Sequence, residues 1–181
     1  IGDVKQPREV CRWQIDSTVK FADCLKADGN SARSLLAVGL CNDGVRVYDC
    51  TSGNAHGKSV RHEALRCVDV SAAADRLATG AFDGGVRVWQ LSSGDQLHEL
   101  QHESAVHRVF FSSCGSRVVA ELSTRACSWR LPIDGSAARA ISESVPDLPD
   151  IAEMRWLDKP RNRLLLLGQP GTVVHSWQIG G

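Results

Sequence analysis

Two ten-residue stretches of the chain align without gaps at an offset of 41 residues: Gly39-Leu-Cys-Asn-Asp-Gly-Val-Arg-Val-Tyr48 and Gly80-Ala-Phe-Asp-Gly-Gly-Val-Arg-Val-Trp89. Weaker copies of the aromatic segment end near Trp129 and Trp177, and a remnant of an earlier copy surrounds Trp13. Self-similarity at a period of about 40 residues indicates a repeat architecture, in which each unit buries its faces against its neighbours.

Each unit has the same order of short apolar segments and polar turns. The segments are rich in β-branched residues and bounded by Gly, Asp, Asn and Ser, which is typical of strands, and they are too short for helices. The first segments cover residues 19–24, 65–70, 106–111 and 151–156, and the second cover 35–39, 76–80, 118–122 and 164–168. With its aromatic segment, each unit holds three or four antiparallel strands. The predicted units are 17–60, 61–101, 102–149 and 150–181, with 1–16 as the end of a preceding blade or a lead-in strand.

Such a unit matches one blade of a β-propeller. A single blade cannot bury both faces of its sheet, whereas radial stacking covers the faces and leaves only short edges. The sequence therefore predicts an all-β propeller with about four blade equivalents.

The second unit resembles the WD-repeat (WD40) family through His62, strand 65–70, Leu77-Ala-Thr79-Gly80, Asp83-Gly84 and Val86-Arg-Val-Trp89. The resemblance implies that His62, Thr79, Asp83 and Trp89 form a buried hydrogen-bonded tetrad. A His–Asp–Thr catalytic triad is the alternative, but the repeat explains all these residues and places them between blades rather than in a cleft. Since family members usually have more than four blades, we expect part of a longer propeller or an incomplete ring.

The neighbouring units depart from the tetrad. The first has Val38, Asn42 and Tyr48 in the Thr, Asp and Trp positions; the third keeps His102 and Trp129 but has Val119 and Ser123; the fourth keeps Trp177. The outer units are therefore less regular than the second.

Composition excludes several classes of protein. Lys plus Arg and Asp plus Glu both number 21, so there is no surplus of positive charge for nucleic acid or an anionic membrane. No apolar run approaches the ~20 residues of a membrane span. The seven cysteines include no close pair of the kind that binds zinc, which favours free thiols in a reducing compartment, cytoplasmic or nuclear.

Other motifs point to no enzyme, metal site or cofactor. The segment Gly53-Asn-Ala-His-Gly57-Lys58-Ser59 is one residue short of a phosphate-binding P-loop and lies in a turn without a following helix. The polar loop 142–150 and the nearby Arg155, Lys159, Arg161 and Arg163 are interpreted as solvated, with contact to an acidic partner as the alternative.

The family resemblance places partner contacts on the face where the first strand of each blade begins. Carried over by position, it marks Thr18, Lys20, Ala64, Arg66, Ala105, His107, Asp150 and Ala152, with Cys41, Phe82 and Leu122 before the Asp position. The predicted partner-binding cluster is Lys20, Arg66, His107 and Phe82. Cationic donors around one aromatic ring suit a short peptide with a carboxylate or phosphate beside an apolar anchor.

The function predicted from the repeats is a non-enzymatic scaffold that binds partner proteins. The alternative is a guanine-nucleotide exchange factor for a small GTPase, because the runs 76–89 and 125–129 are similar to the endoplasmic-reticulum propellers that initiate COPII coats. A further alternative is a subunit of a large assembly whose neighbours complete the ring.

Overall fold

The computed structural model describes residues 12–15, 18–25, 34–42, 44–123, 126–132, 141–144, 151–158, 163–168 and 174–178. The described residues form strands and turns, with no helix among them, as the sequence predicts. The strands are β1 (Val19–Leu25), β2 (Leu35–Leu40), β3 (Gly44–Asp49), β4 (Val60–Arg61), β5 (Leu65–Ser71), β6 (Arg76–Ala81), β7 (Gly85–Gln90), β8 (Gln96–Gln101), β9 (Val106–Phe111), β10 (Arg117–Leu122), β11 (Ala126–Arg130), β12 (Ile141–Ser144), β13 (Ile151–Asp158), β14 (Arg163–Gly168) and β15 (Val174–Gln178).

The strands form four antiparallel sheets in which sequence neighbours are hydrogen-bonded. The first sheet is β1-β2-β3-β4, the second β5-β6-β7-β8, the third β9-β10-β11-β12 and the fourth β13-β14-β15. Short turns over residues 72–75, 82–84, 91–95 and 112–116 connect neighbouring strands of the second and third sheets, as expected for antiparallel pairs. The predicted segments became the first three strands of each sheet, whereas the fourth strands β4, β8 and β12 were not named in advance.

The first three sheets pack against one another in chain order. Strand β5 contacts β1 and β2 of the first sheet, and β9 contacts β5, β6 and β7 of the second. One apolar cluster joins the first two sheets and contains Leu35, Val47, Leu65, Val68 and Leu77. Because β6 is buried along its whole length, the second sheet is covered on both faces.

A second apolar cluster joins the second and third sheets. It contains Val86 and Val88 of β7 together with Val106, Val109 and Phe111 of β9. By contrast, β8 alternates between exposed and covered residues, as the outer edge of a sheet does. The buried strands therefore lie at the β5 and β9 side of these sheets.

Buried polar side chains also connect the second and third sheets. The Asp69 carboxylate of β5 accepts a hydrogen bond from the Phe111 amide at 2.6 Å. The Arg76 guanidinium of β6 donates to the carbonyl oxygens of Gly115, at 3.0 Å, and Pro132. Because burial disfavours its charged form, the pKa of Arg76 is lowered. These bonds fix the relative position of the two sheets more specifically than apolar contact does.

Among the described residues, no helix is long and apolar enough to cross a membrane.

Candidate functional site

A β-bulge interrupts the first strand of the second sheet. Leu65 pairs with Ala81 and Cys67 pairs with Gly80, so two neighbouring residues of β6 face partners that are two apart on β5. Arg66 is the extra residue. A bulge bends its strand and redirects a side chain out of the regular alternation.

The same bulge recurs at the same point in all four sheets. The extra residues are Lys20 in β1, Arg66 in β5, His107 in β9 and Ala152 in β13. The strand pairing therefore makes Lys20, Arg66 and His107 structurally equivalent, although they were selected from the sequence by family resemblance alone. Asp150, marked for the same reason, lies outside the described residues.

The aromatic ring of Phe82 lies beside two of these cations. The Arg66 guanidinium carbon is 4.5 Å from the ring centroid and the Lys20 ammonium is 6.0 Å from it. The Lys20 ammonium also donates to the Leu65 carbonyl oxygen at 2.8 Å, and the Phe82 amide donates to the Ala64 carbonyl oxygen at 3.0 Å. The ring is therefore held at the surface, with 52% of the residue exposed.

The imidazole of His107 occupies the corresponding position in the third sheet. Its Nε2 lies 3.1 Å from the Ser123 hydroxyl oxygen. The pKa of His107 is lowered, first by partial burial and then by the positive charges of Arg66 and Arg108. His107 thus shares its electrostatic environment with two guanidinium groups.

A pocket of about 410 Å³ lies between β1, β5 and β9. Ala22, Arg66, Cys67, His107 and Arg108 are among its lining residues. The structure therefore brings Arg66 and His107 into one cavity, whereas Phe82 and Lys20 form the cluster next to Arg66.

Three members of the predicted tetrad are hydrogen-bonded through one hydroxyl group. The Thr79 hydroxyl oxygen lies 2.7 Å from Nδ1 of His62 and accepts a hydrogen bond from the Trp89 indole at 2.9 Å. The Asp83 carboxylate instead accepts from the Gly85 amide at 2.9 Å. A Cβ added at Gly85 would lie 3.0 Å from Asp83 Oδ1 and 3.1 Å from His62 Nε2, so the Asp83 carboxylate and the His62 ring both lie beside Gly85.

His62, Thr79 and Trp89 form a buried structural network, whereas Asp83 is exposed. His62 and Thr79 are fully buried, and Trp89 is 8% exposed. The network lies away from the pocket lining and connects the turn before β5 to β6 and β7. Pairing these buried polar groups avoids the free-energy cost of leaving them unsatisfied.

The register corrects three assignments in the third sheet: those of Val119, of Leu122, and of Ser123, which was matched to Asp83. In the second sheet Thr79 pairs with Val68 and Arg87; in the third, Ala120 pairs with the equivalent residues, so Ala120 and not Val119 takes the place of Thr79. Ten residue steps separate Thr79 from Trp89, but nine separate Ala120 from Trp129. The third unit therefore lacks one residue after Ala120, and the sequence alignment put this deletion too early.

The same deletion affects Leu122, which was matched to Phe82. Leu122 is a buried residue of β10, and the exposed Ser123 corresponds to Phe82. The Arg66–Phe82 contact of the second sheet is thus replaced by the His107–Ser123 contact of the third.

Neither Arg108 as a pocket residue nor its ion pair with Glu121 was predicted from the sequence. Arg108 adds a second guanidinium, and its Nε lies 4.0 Å from Oε2 of the buried Glu121. The signal was present in the repeat, because Arg108 and Glu121 occupy the positions of Cys67 and Gly80 in the second unit. A charged pair in place of a small, apolar pair marks a change in local function or packing.

Cys41, Cys50, Cys67, Cys114 and Cys127 are free thiols. Burial raises the pKa of Cys67 to about 12, so the thiolate is strongly disfavoured in the pocket wall. Within the described ranges, no group of three or more His, Cys, Asp or Glu residues is placed to hold a metal ion.

No protein-family model and no curated protein matches the sequence of this chain. The crystal structure of the computationally designed Ika4 protein is similar, with a TM-score of 0.64 and 19% identity over 97% of this chain and 100% of that chain. At this identity the likeness concerns the fold alone. In all, 1174 chains of solved structures match.

Proposed function

We propose that the chain is a WD-repeat β-propeller scaffold that binds a protein partner on the face formed by the strand bulges, without chemistry of its own. This face, called the bulge face below, comprises Lys20, Arg66, Phe82 and His107. The observation that carries the proposal is the recurrence of one bulge at Lys20, Arg66 and His107. A β-bulge redirects a side chain out of the regular alternation of a strand and is common beside functional sites. The repeated bulge presents basic side chains on one face, which suits the binding of a partner.

The surroundings of the bulges favour a protein partner. Val19 and Phe82 are the large hydrophobic residues found exposed in the described part of the chain, at 45% and 52%. Val19 immediately precedes Lys20, and Phe82 lies against Arg66. Exposed aromatic and arginine side chains commonly supply most of the binding free energy at protein interfaces.

The propeller is supported by the packing of the first three sheets. Their first strands lie side by side, and each interface buries apolar side chains from both sheets. The hydrogen-bonded His62, Thr79 and Trp89 agree with the arrangement that the family resemblance implies. The free cysteines suit a reducing compartment.

The proposal is tested by affinity purification of the whole chain from cell extract followed by mass spectrometry. The test variant carries Lys20→Glu, Arg66→Glu and His107→Glu, and the matched control carries Arg46→Glu, Arg61→Glu and Arg130→Glu on exposed positions of β3, β4 and β11. Circular dichroism confirms that both variants are folded.

We expect at least one partner to be lost from the test variant and kept by the control. Identical partner sets for all three proteins would contradict the bulge face as the binding site. If the lost partner is a small GTPase, accelerated release of its nucleotide by the purified chain would support an exchange factor instead of a passive scaffold.

A further inference from the structure

The pocket between β1, β5 and β9 has an excess of basic groups. Arg66 and His107 come from two successive bulges, and Arg108 follows His107 directly. None of the described lining residues is acidic. The buried Glu121 has its Oε2 4.0 Å from Arg108 Nε and offsets part of that charge, whereas no acidic residue of the described wall faces Arg66 or His107.

The Arg66 guanidinium is oriented without using its hydrogen-bond donors. Its carbon lies 4.5 Å from the Phe82 ring centroid, so the contact involves the ring face. Within the described ranges, no hydrogen bond or ion pair of this guanidinium is found. A planar guanidinium in such a contact keeps its in-plane N–H groups for an anion.

The electrostatic environment of His107 indicates positive potential inside the pocket. Besides burial, the charges of Arg66 and Arg108 both lower the pKa of this imidazole. The two guanidinium groups therefore act on the same small volume. An anion placed there would interact favourably with both and would also favour protonation of His107.

We infer that this pocket receives the phosphate group of a phosphorylated segment of the partner, while Phe82 packs against an apolar side chain nearby in the same segment. The inference rests on the proposed binding at the bulge face. A phosphate monoester carries about −1.5 to −2 charges and three acceptor oxygens, which suits two guanidinium groups and an imidazole. A carboxylate has two oxygens and one charge and leaves part of this donor set unused.

The charge of the whole chain favours a local phosphate over an extended polyanion. Basic and acidic residues both number 21, so there is no general surplus to attract nucleic acid or an anionic membrane. Three basic residues, Arg66, His107 and Arg108, share a pocket of about 410 Å³. A pocket of this size accepts one anionic group and not a long charged surface.

The test uses three degenerate peptide libraries on the purified whole chain: one with a fixed phosphoserine, one with serine and one with glutamate at that position. We expect the phosphoserine library to be retained preferentially. For peptides recovered from it, Arg66→Gln should weaken binding about tenfold, as expected for the loss of charge-assisted hydrogen bonds. Arg66→Lys should keep part of the affinity that Arg66→Gln loses, and Arg61→Gln should leave the affinity unchanged.

Equal retention of the three libraries would overturn the inference, as would equal effects of Arg66→Gln and Arg61→Gln in folded proteins. The chain could also bind vesicles containing phosphatidylserine, or a single-stranded RNA, more tightly than the phosphoserine peptides and with the same dependence on Arg66. That result would overturn the inference in favour of another anion. A partner that is lost on the Lys20, Arg66 and His107 variant but binds equally after phosphatase treatment would leave the bulge face intact and refute only the phosphate.

Discussion

The second and third sheets have corresponding strands and the same bulge, but they carry different side chains at two equivalent positions. One is the position of Thr79 in the second sheet, and the other is the bulge. In the second sheet the Thr79 hydroxyl joins His62 to Trp89. In the third, Ala120 occupies that position, and the His102 and Trp129 rings lie 4.9 Å apart, tilted by 50°. A hydrogen-bonded network and an aromatic contact therefore serve the same place in two neighbouring sheets.

The two sheets also differ at the bulge. The second presents a cation against an exposed ring, and the third presents an imidazole against a hydroxyl group. Backbone geometry is therefore repeated more faithfully than side-chain chemistry. The bulge sets the direction of the side chain in each unit, and the residue type at that position differs from one unit to the next.

Removing the hydroxyl group at the centre of the network should have the largest effect on stability. Thr79→Val leaves His62 and Trp89 without their common partner, and two unsatisfied buried groups should lower the free energy of unfolding by about 2–4 kcal/mol. Urea denaturation measures this, with Thr51→Val in an exposed turn as the control, expected within about 0.5 kcal/mol of wild type. A loss below about 1 kcal/mol would show that the second sheet does not depend on the network any more than the third does.

A side chain at Gly80 should have the next largest effect. A Cβ there would lie 2.6 Å from both Cys67 Sγ and Val106 Cγ1, where the second and third sheets touch. Gly80→Ala should therefore cost about 1–3 kcal/mol of unfolding free energy through overpacking. Gly44→Ala is the control, because its Cβ would meet Asn42 Oδ1 at 3.0 Å, on an exposed side chain that can move. Equal costs at both positions would contradict the close approach of the sheets at Gly80.

His98, a buried residue of β8, should make the stability of the fold depend on pH. Burial, and then the charge of Arg76, lower the pKa of His98 from its ordinary value near 6.5. A folded pKa below the unfolded one gives stability that is present above about pH 6.5 and is lost as pH falls through the folded pKa. The Tm should therefore fall between about pH 7 and pH 5, and His98→Gln should make this fall shallower.

His56→Gln serves as the control for the pH experiment, because His56 lies in the turn region before β4. It should leave the slope of Tm against pH as in wild type. If His98→Gln and His56→Gln give the same slope as wild type, then the desolvated imidazole of His98 does not contribute to the pH dependence.

Making the second bulge resemble the third should have the smallest effect on stability. Phe82→Ser copies the residue found at Ser123, and because the ring is exposed it should cost at most about 1 kcal/mol, the worth of an exposed cation–π contact. The same variant should nevertheless lose partner binding. A large loss of stability in urea denaturation would mean that Phe82 is a packing residue and not part of a binding face.

Most of the strand positions could be predicted because the apolar and β-branched segments are clear. Strand β9 begins and ends where the sequence predicts, and β5 extends one residue further. The fourth strand β8 was missed, since Gln96–Gln101 is polar, lies at an edge and lacks the apolar alternation of a half-buried strand.

The bulges could not be derived from the residues alone, because register depends on hydrogen bonds between strands. Lys20, Arg66 and His107 were selected through the family resemblance, and the register then gave them a common geometry. The position of Ala120 was missed because the aromatic spacing, 41 residues from Tyr48 to Trp89 and 40 from Trp89 to Trp129, shows that one residue is deleted but not where. The bonds of Arg76 to Gly115 and Pro132 were missed because they join residues far apart in sequence.

The proposed binding face is formed by the recurring bulges. Hydrogen–deuterium exchange of the chain, with and without the captured partner, measures directly which backbone segments the partner covers. We expect protection on binding at residues 18–22, 64–67, 81–83 and 105–108, with β4 and β8 unchanged. Protection confined to β4 and β8, with the bulge segments exchanging as in the free chain, would contradict it.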